Sequence, residues 1–179
     1  MKKRNYWYIQ LHPSKGDQPK WYKEFGFESG IEAVRQFVEN LGVVGVGLWR
    51  GGLDDIRRFI SAQKGDLLFT WYSEGGKWYQ ALLEFSEDHT YYDPDKKGWD
   101  GEEEVLAGEF LKKFGLLDKV YPQKAPEKVW FPLFRKVKLL RSWDTKQIDY
   151  HPQGTFASIN KESVQEALDA YKFRGEDRD

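Results

Sequence analysis

Along the chain YWYIQLH (6–12), rich in aromatics and closed by Pro13, reads as a first strand, and VVGVGLW (43–49) alternates with a period of two like a second. Between them Ile31, Val34, Phe37, Val38 and Leu41 recur at helical spacing. Ser29 precedes that stripe with Glu32 three residues on, a capping-box spacing, and Gly42 is placed to end the helix. Asp54 and Asp55 open a short second helix whose Ile56, Phe59 and Ile60 share a face. KGDLLFTWYSEGGKWYQALLEF (64–85) reads as two β-rich runs around a Ser-Glu-Gly-Gly turn, a hairpin. EDHTYYDPDKKGWDGEEE (87–104) reads as a long polar loop with aromatics embedded in it.

Val105, Leu106, Phe110 and Phe114 predict a helix over 103–114 stopped by Gly115, with Glu102, Glu103 and Glu104 favourable at its start. VWFPLFRKVKLLRSW (129–143) predicts a long strand bent near Pro132, and GTFASIN (154–160) a last short one. Ser163 to Glu166 caps a final helix running to Tyr171, and residues 175–179 form a frayed tail. There is no internal repeat. Short strands interleaved with single helices predict one α+β domain over residues 1–174, a small curved mixed sheet or partial β-barrel with helices packed around it.

The second strand is odd. Val44, Val46 and Leu48 fall on one side, and Gly45, Gly47 and Trp49 on the other, followed by Arg50 and two more glycines. Two arrangements account for this. Either another element packs closely on the glycines and Trp49 plugs the core, or the bare side is floor space beside an exposed indole where a flat ligand approaches the backbone.

Composition sharpens the choice. Eight tryptophans and an aromatic share of 17% exceed what a core of this size needs. Lys plus Arg (28) nearly balance Asp plus Glu (29), which argues against a broad phosphate-neutralising surface but not against a local basic stripe. Cys is absent, so disulfides, thiolate nucleophiles and Cys-ligated zinc are excluded. A 32% charged content with a single Met leans toward a thermophile. No apolar run reaches membrane-spanning length and the N-terminus is no signal peptide, so a soluble cytoplasmic protein is expected.

Catalytic patterns are sparse. His12, His89 and His151 are the only histidines and none has a metal-like partner at helical spacing. There is no P-loop, no Gly-rich loop opening a helix after a strand, and no Gly-x-Ser-x-Gly elbow. A binding domain without catalytic residues, metal or cofactor is expected. Its aromatic constellation is richer: Trp49 ends a glycine-lined strand, Trp99 sits in the polar KKGWDG, and Trp71 and Tyr72 close the first hairpin strand. Indole faces hold an unstacked base at about 1–3 kcal/mol per base.

In order, YWYIQLHP (6–13), GLW (47–49), KGDLLFTWYSEGGKWYQALLEFSE (64–87), YYDP (91–94) and WFPLFRKV (130–137) resemble the EVE and YTH domains of the PUA-like superfamily. EVE sequences have Glu-Pro where this chain has His12-Pro13. The resemblance implies a pocket for a flipped or unpaired, often methylated, base, caged by Trp49 and Trp99. The third cage position of YTH domains falls near Glu104, and Trp71, Tyr91 or Tyr92 would have to substitute there. Base-edge contacts would come from the backbone at Arg50 and from His12 with Asp17, and phosphate contacts from Lys15, Lys20, Arg50, Arg57 and Lys97.

Similar domains form the N-terminal specificity module of McrB, the GTPase subunit of modification-dependent restriction systems of archaea and bacteria. The resemblance therefore implies recognition of methylated DNA, N6-methyladenine the best guess, by base flipping. An AAA+ GTPase domain and a nuclease subunit would be its partners. RNA binding by the same fold is one alternative. Amidohydrolysis of small nucleosides, as in the ASCH relatives that use Lys and Glu, is another.

Overall fold

The computed structural model describes residues 3–11, 20–145, 155–165 and 168–169. Ser29 opens the first helix as its spacing predicts: its hydroxyl accepts from the Glu32 N–H at 3.1 Å, and the Glu32 carboxylate accepts from the Glu28 N–H at 2.8 Å. The helix α1 (Gly30–Arg35) continues as a π-helical turn, Gln36–Leu41, and Gly42 ends it in the left-handed region at φ 62°. Strand β1 (Tyr6–Ile9) precedes it; β2 (Val43–Val46) and α2 (Leu53–Ser61) follow. The hairpin is β3 (Leu67–Glu74) and β4 (Lys77–Phe85), in register from Leu67↔Glu84 to Glu74↔Lys77.

The stretch expected to be a loop contains three short strands: β5 (Tyr91–Tyr92), β6 (Lys97–Trp99) and the start of a small hairpin partner, β7 (Glu104–Leu106). The helix expected over 103–114 accordingly begins later, as α3 (Ala107–Lys113). Residues 104–106 pair as a strand because Val105 sits opposite Gly98. After β8 (Tyr121–Pro122), the long strand β9 (Leu133–Trp143) starts only after Pro132, and β10 (Phe156–Ser158) is the last. Of the expected C-terminal helix, a 3-10 turn at Glu162–Val164 is described; Tyr171 and residues 175–179 lie outside the described residues.

The architecture is α+β. The main sheet runs β10-β1-β3-β4-β9-β5-β8, with β2 on the other edge of β9, and is not closed into a barrel among the described residues. β1 lies parallel to β3 and β5 parallel to β8; the other pairs are antiparallel. Both faces are covered. Tyr79, Ala81, Leu83 and Phe85 of β4 join the larger core beneath the helices, while Leu82 joins a second cluster with Tyr8, Leu67, Phe69, Trp143, Ile159 and Val164.

Buried polar groups fix the frame. Asp66 accepts from the Gln63 N–H (2.9 Å), the Trp7 indole N–H (3.0 Å) and the Asn5 N–H (3.1 Å), tying the turn before β3 to β1. Burial pushes its carboxyl up, but the donors from Trp7, Gln63 and Asn5 outweigh that and hold it below the usual range. Asp93 accepts from the Asp95 and Ala125 N–H groups at 3.0 and 3.1 Å and pins the loop before β6. The acidic residues of KGD and YYDP are thus structural ties. Arg135, on β9, is fully buried and donates to the carbonyls of Phe59 (2.9 Å) and Ala62 (2.5 Å), closing the C-terminal end of α2, and to that of Glu87 (2.9 Å).

Candidate functional site

The glycine-lined side of residues 43–49 is both of the arrangements its pattern allows, split by position. A Cβ on Gly45 would stand 1.9 Å from the Phe131 ring, so that glycine is packed shut. A Cβ on Gly47 would meet nothing within 4 Å. The floor beside Trp49 is open and the floor further back is filled.

Trp49 is extended (φ −148°, ψ 146°) and passes into a 3-10 turn, Arg50–Gly52, that folds back under its ring. Cβ atoms on Gly51 and Gly52 would stand 2.0 and 2.4 Å from the Trp49 indole, so the ring lies directly on their backbone. Trp49 is nevertheless 45% exposed, which leaves its other side to solvent.

Strand β6 docks against the end of this segment. The Trp99 N–H donates to the Leu48 carbonyl at 2.8 Å, making a single parallel bridge between Trp49 and Trp99. Gly98 permits the approach: a Cβ there would fall 2.7 Å from the Leu48 Cβ and 2.8 Å from its carbonyl oxygen. Paired residues put their side chains on one face, so Trp49, Trp99 and, opposite Trp99 on β7, Glu104 form a row across three adjacent backbones. Lys97 and Leu106 flank that row at a period of two. All five are exposed, Trp99 by 48%. The other side of the β6–β7 ribbon, Gly98 and Val105, packs toward Leu48 and Phe110.

The tip of the ribbon is tied by one carboxylate. Asp100 is buried and accepts from the Glu102 N–H (2.8 Å), the Glu103 N–H (2.9 Å) and the Lys113 ammonium (2.9 Å). The Glu103 amide, the Lys113 ammonium and the Glu102 amide pull its carboxyl down to about 2. Arg50 lies over Gly101, whose φ of 106° suits glycine; a Cβ there would stand 2.6 Å from the Arg50 Cδ. The signal for this turn was in the sequence as Trp-Asp-Gly, but its partner Lys113 lies on α3 and no local pattern points to it.

The remaining expected site residues lie elsewhere. Trp71 stacks on Trp78 (centroids 5.2 Å apart, 27° between planes) and packs against the second cluster. Tyr91 stacks on Phe134 at 5.5 Å under the Lys136 ammonium and beside Glu87, which pushes its phenol up to about 12. The structure therefore does not bring either ring to the tryptophan pair as a third wall. Tyr92 lines a cleft of about 320 Å3 with Leu106, Gly108 and Lys112, next to the row. Lys97 shares the exposed face and Arg50 borders it. Arg57 pairs with Asp54 at 3.5 Å and lines a separate cleft with Ile60 and Leu116. Lys20 is exposed at the head of the 3-10 turn Trp21–Phe25. His12, Lys15, Asp17 and His151 lie outside the described residues.

His89 sits edge-on to Tyr121 at 4.6 Å in a surface aromatic cluster. Among the described residues no group of His, Cys, Asp and Glu could hold a metal ion, and no helix is long and apolar enough to cross a membrane. Comparison with family models, curated proteins and solved structures finds no significant match.

Proposed function

We propose that the Trp49–Trp99 pair is a stacking site for a nucleobase turned out of DNA, with N6-methyladenine the best-suited base. On this reading the chain is a PUA-like domain of EVE/YTH type and serves as the specificity module of a McrBC-type restriction system. The observation that carries the reading is the exposure of two indoles on bridged backbones, one of them bedded on Gly51 and Gly52 beside the open floor at Gly47. A core-packing role gives no reason to leave two tryptophans half exposed together. The ordered resemblance of most of residues 6–160 to EVE and YTH sequences also supports it.

The energies are compatible. Extruding a base costs a few kcal/mol. Stacking returns about 1–3 kcal/mol per base, and a buried methyl adds about 0.8 kcal/mol. Phosphate contacts from Arg50 and Lys97 supply the remainder, and with a formal net charge of −1 the chain has no broad basic surface to bind without the base. GTP hydrolysis and strand cleavage would belong to the AAA+ domain and the nuclease subunit.

The test is a panel of matched duplexes carrying no methylation, N6-methyladenine, 5-methylcytosine or 5-hydroxymethylcytosine, with RNA of the same sequence as competitor, at two salt concentrations. The reading expects tighter binding to one methylated duplex and its loss in Trp49→Ala, with the fold retained by circular dichroism. Unchanged affinity in Trp49→Ala overturns it, and preference for the RNA transfers the same site to an RNA ligand.

A further inference from the structure

We infer that Glu104 reads the hydrogen-bonding edge of the base held at the tryptophan pair, so that the site favours bases with an exocyclic amino N–H over those with a carbonyl in its place. This rests on the reading of Trp49 and Trp99 as a base site. Glu104 is directly opposite Trp99 in the β6–β7 register and shares its face, in a row with Trp49. It is exposed, and its carboxylate has no ion pair or hydrogen bond among the described residues. Of the cations nearby, Lys113 is engaged with Asp100 at 2.9 Å, while Lys97 and Arg50 border the row and are left for phosphate. A carboxylate repels phosphates, so a surface shaped only for a phosphodiester would be better without it. Beside two indole faces it has a different use. A carboxylate accepts hydrogen bonds and donates none. It therefore favours an exocyclic amino group, as on adenine, N6-methyladenine, cytosine or guanine, and is repelled by O4 of thymine or uracil, which offer it only the N3–H. N6-methyladenine keeps one such N–H; N6,N6-dimethyladenine has none.

The test compares oligonucleotides differing at one base: N6-methyladenine, adenine, N6,N6-dimethyladenine, unsubstituted purine and thymine. They are titrated against the unaltered chain, Glu104→Gln, Glu104→Ala and Trp49→Ala, with melting temperature as the check on folding. The unaltered chain should prefer adenine to purine, and N6-methyladenine to N6,N6-dimethyladenine, by about ten- to hundredfold, the span of a hydrogen bond to a charged group. Glu104→Gln, whose amide can donate or accept, should gain affinity for thymine and shrink those ratios to about threefold or less. If Trp49→Ala loses binding but the ratios survive Glu104→Gln and Glu104→Ala, the base site stands and the role of Glu104 is overturned. If Trp49→Ala changes nothing, the base site falls and this inference falls with it.

Discussion

A Cβ on Gly51 would stand 2.0 Å from Cζ3 of Trp49, so the indole occupies the space a side chain at 51 would need. The ring rests on the backbone of Gly51 and Gly52. That arrangement fixes one face and leaves the opposite one uncovered, which is what a stacking platform requires. The Trp-Arg-Gly-Gly run is therefore a mount as well as a turn.

Gly51→Ala tests the mount without deleting the indole. The backbone at 51 is not in the left-handed region, so alanine is tolerated conformationally and the Trp49 ring, not the chain, moves aside. Stability should change by less than about 1 kcal/mol, within the range of ordinary surface substitutions. Base-dependent binding should fall about tenfold, a loss comparable to one stacking contact. Fluorescence titration with a base-bearing oligonucleotide, alongside thermal melting, separates the two effects.

Gly98→Ala should do the reverse and cost stability first. Its Cβ would fall 2.7 Å from the Leu48 Cβ and 3.1 Å from the Phe110 ring, in a place where neither can retreat easily. Overpacking of this kind costs about 1–3 kcal/mol. Strand β6 would shift off Leu48, breaking the 2.8 Å bond that aligns Trp99 with Trp49. Urea unfolding should show the loss, and any residual binding should no longer distinguish a methylated duplex.

Which parts were legible follows from where the causes lie. The Ser29 cap and the β3–β4 hairpin are local, and a capping box or a Gly-Gly turn announces them. Trp49 and Trp99 stand out because each breaks its surroundings, one after bare glycines and one within a polar run. The β6–β7 ribbon was read as loop and helix because three-residue strands carry no period, and Val105, Leu106, Phe110 and Phe114 fit helical spacing. Its real determinants are tertiary: Gly98 against Leu48, and Asp100 held by Lys113. Trp71 enters the expected cage only as an aromatic substitute for the position that falls near Glu104. The alternation of Leu67, Phe69 and Trp71 already puts them on one face of β3, the face that joins the second cluster.

Acid should loosen the ribbon. The Asp100 carboxyl is held at about 2 by the Glu103 amide, the Lys113 ammonium and the Glu102 amide. A group depressed in the folded state stabilises above its unfolded value, about 4 for Asp, and that contribution is lost as pH falls from about 4 toward 2. Asp66 is depressed too, so acid acts in the same direction on the tie between the turn before β3 and β1. Asp100→Asn keeps the size of the side chain but removes the titration and the charge facing Lys113. Its melting temperature should be lower than that of the unaltered chain at pH 6, with the two curves converging below pH 3. Parallel curves over that interval would contradict the assignment.

Arg135 offers the largest single stability effect, and one independent of the site. It is fully buried on β9, donates to the carbonyls of Phe59, Ala62 and Glu87, and rests 4.3 Å above the Phe85 ring. Burial draws its guanidinium down to about 10, with Asp88, Asp66 and Glu87 pulling the other way. Arg135→Met fills much of the volume but leaves three carbonyls without that donor, at about 1–3 kcal/mol each. The expected loss is about 3 kcal/mol or more. Arg135→Lys keeps the charge but cannot span both the end of α2 and the Glu87 carbonyl, so it should fall between. Urea midpoints order the three chains. At a temperature where all are folded, their affinities for the same methylated duplex should agree within about twofold, because Arg135 holds the end of α2 and not the face that carries Trp49 and Trp99.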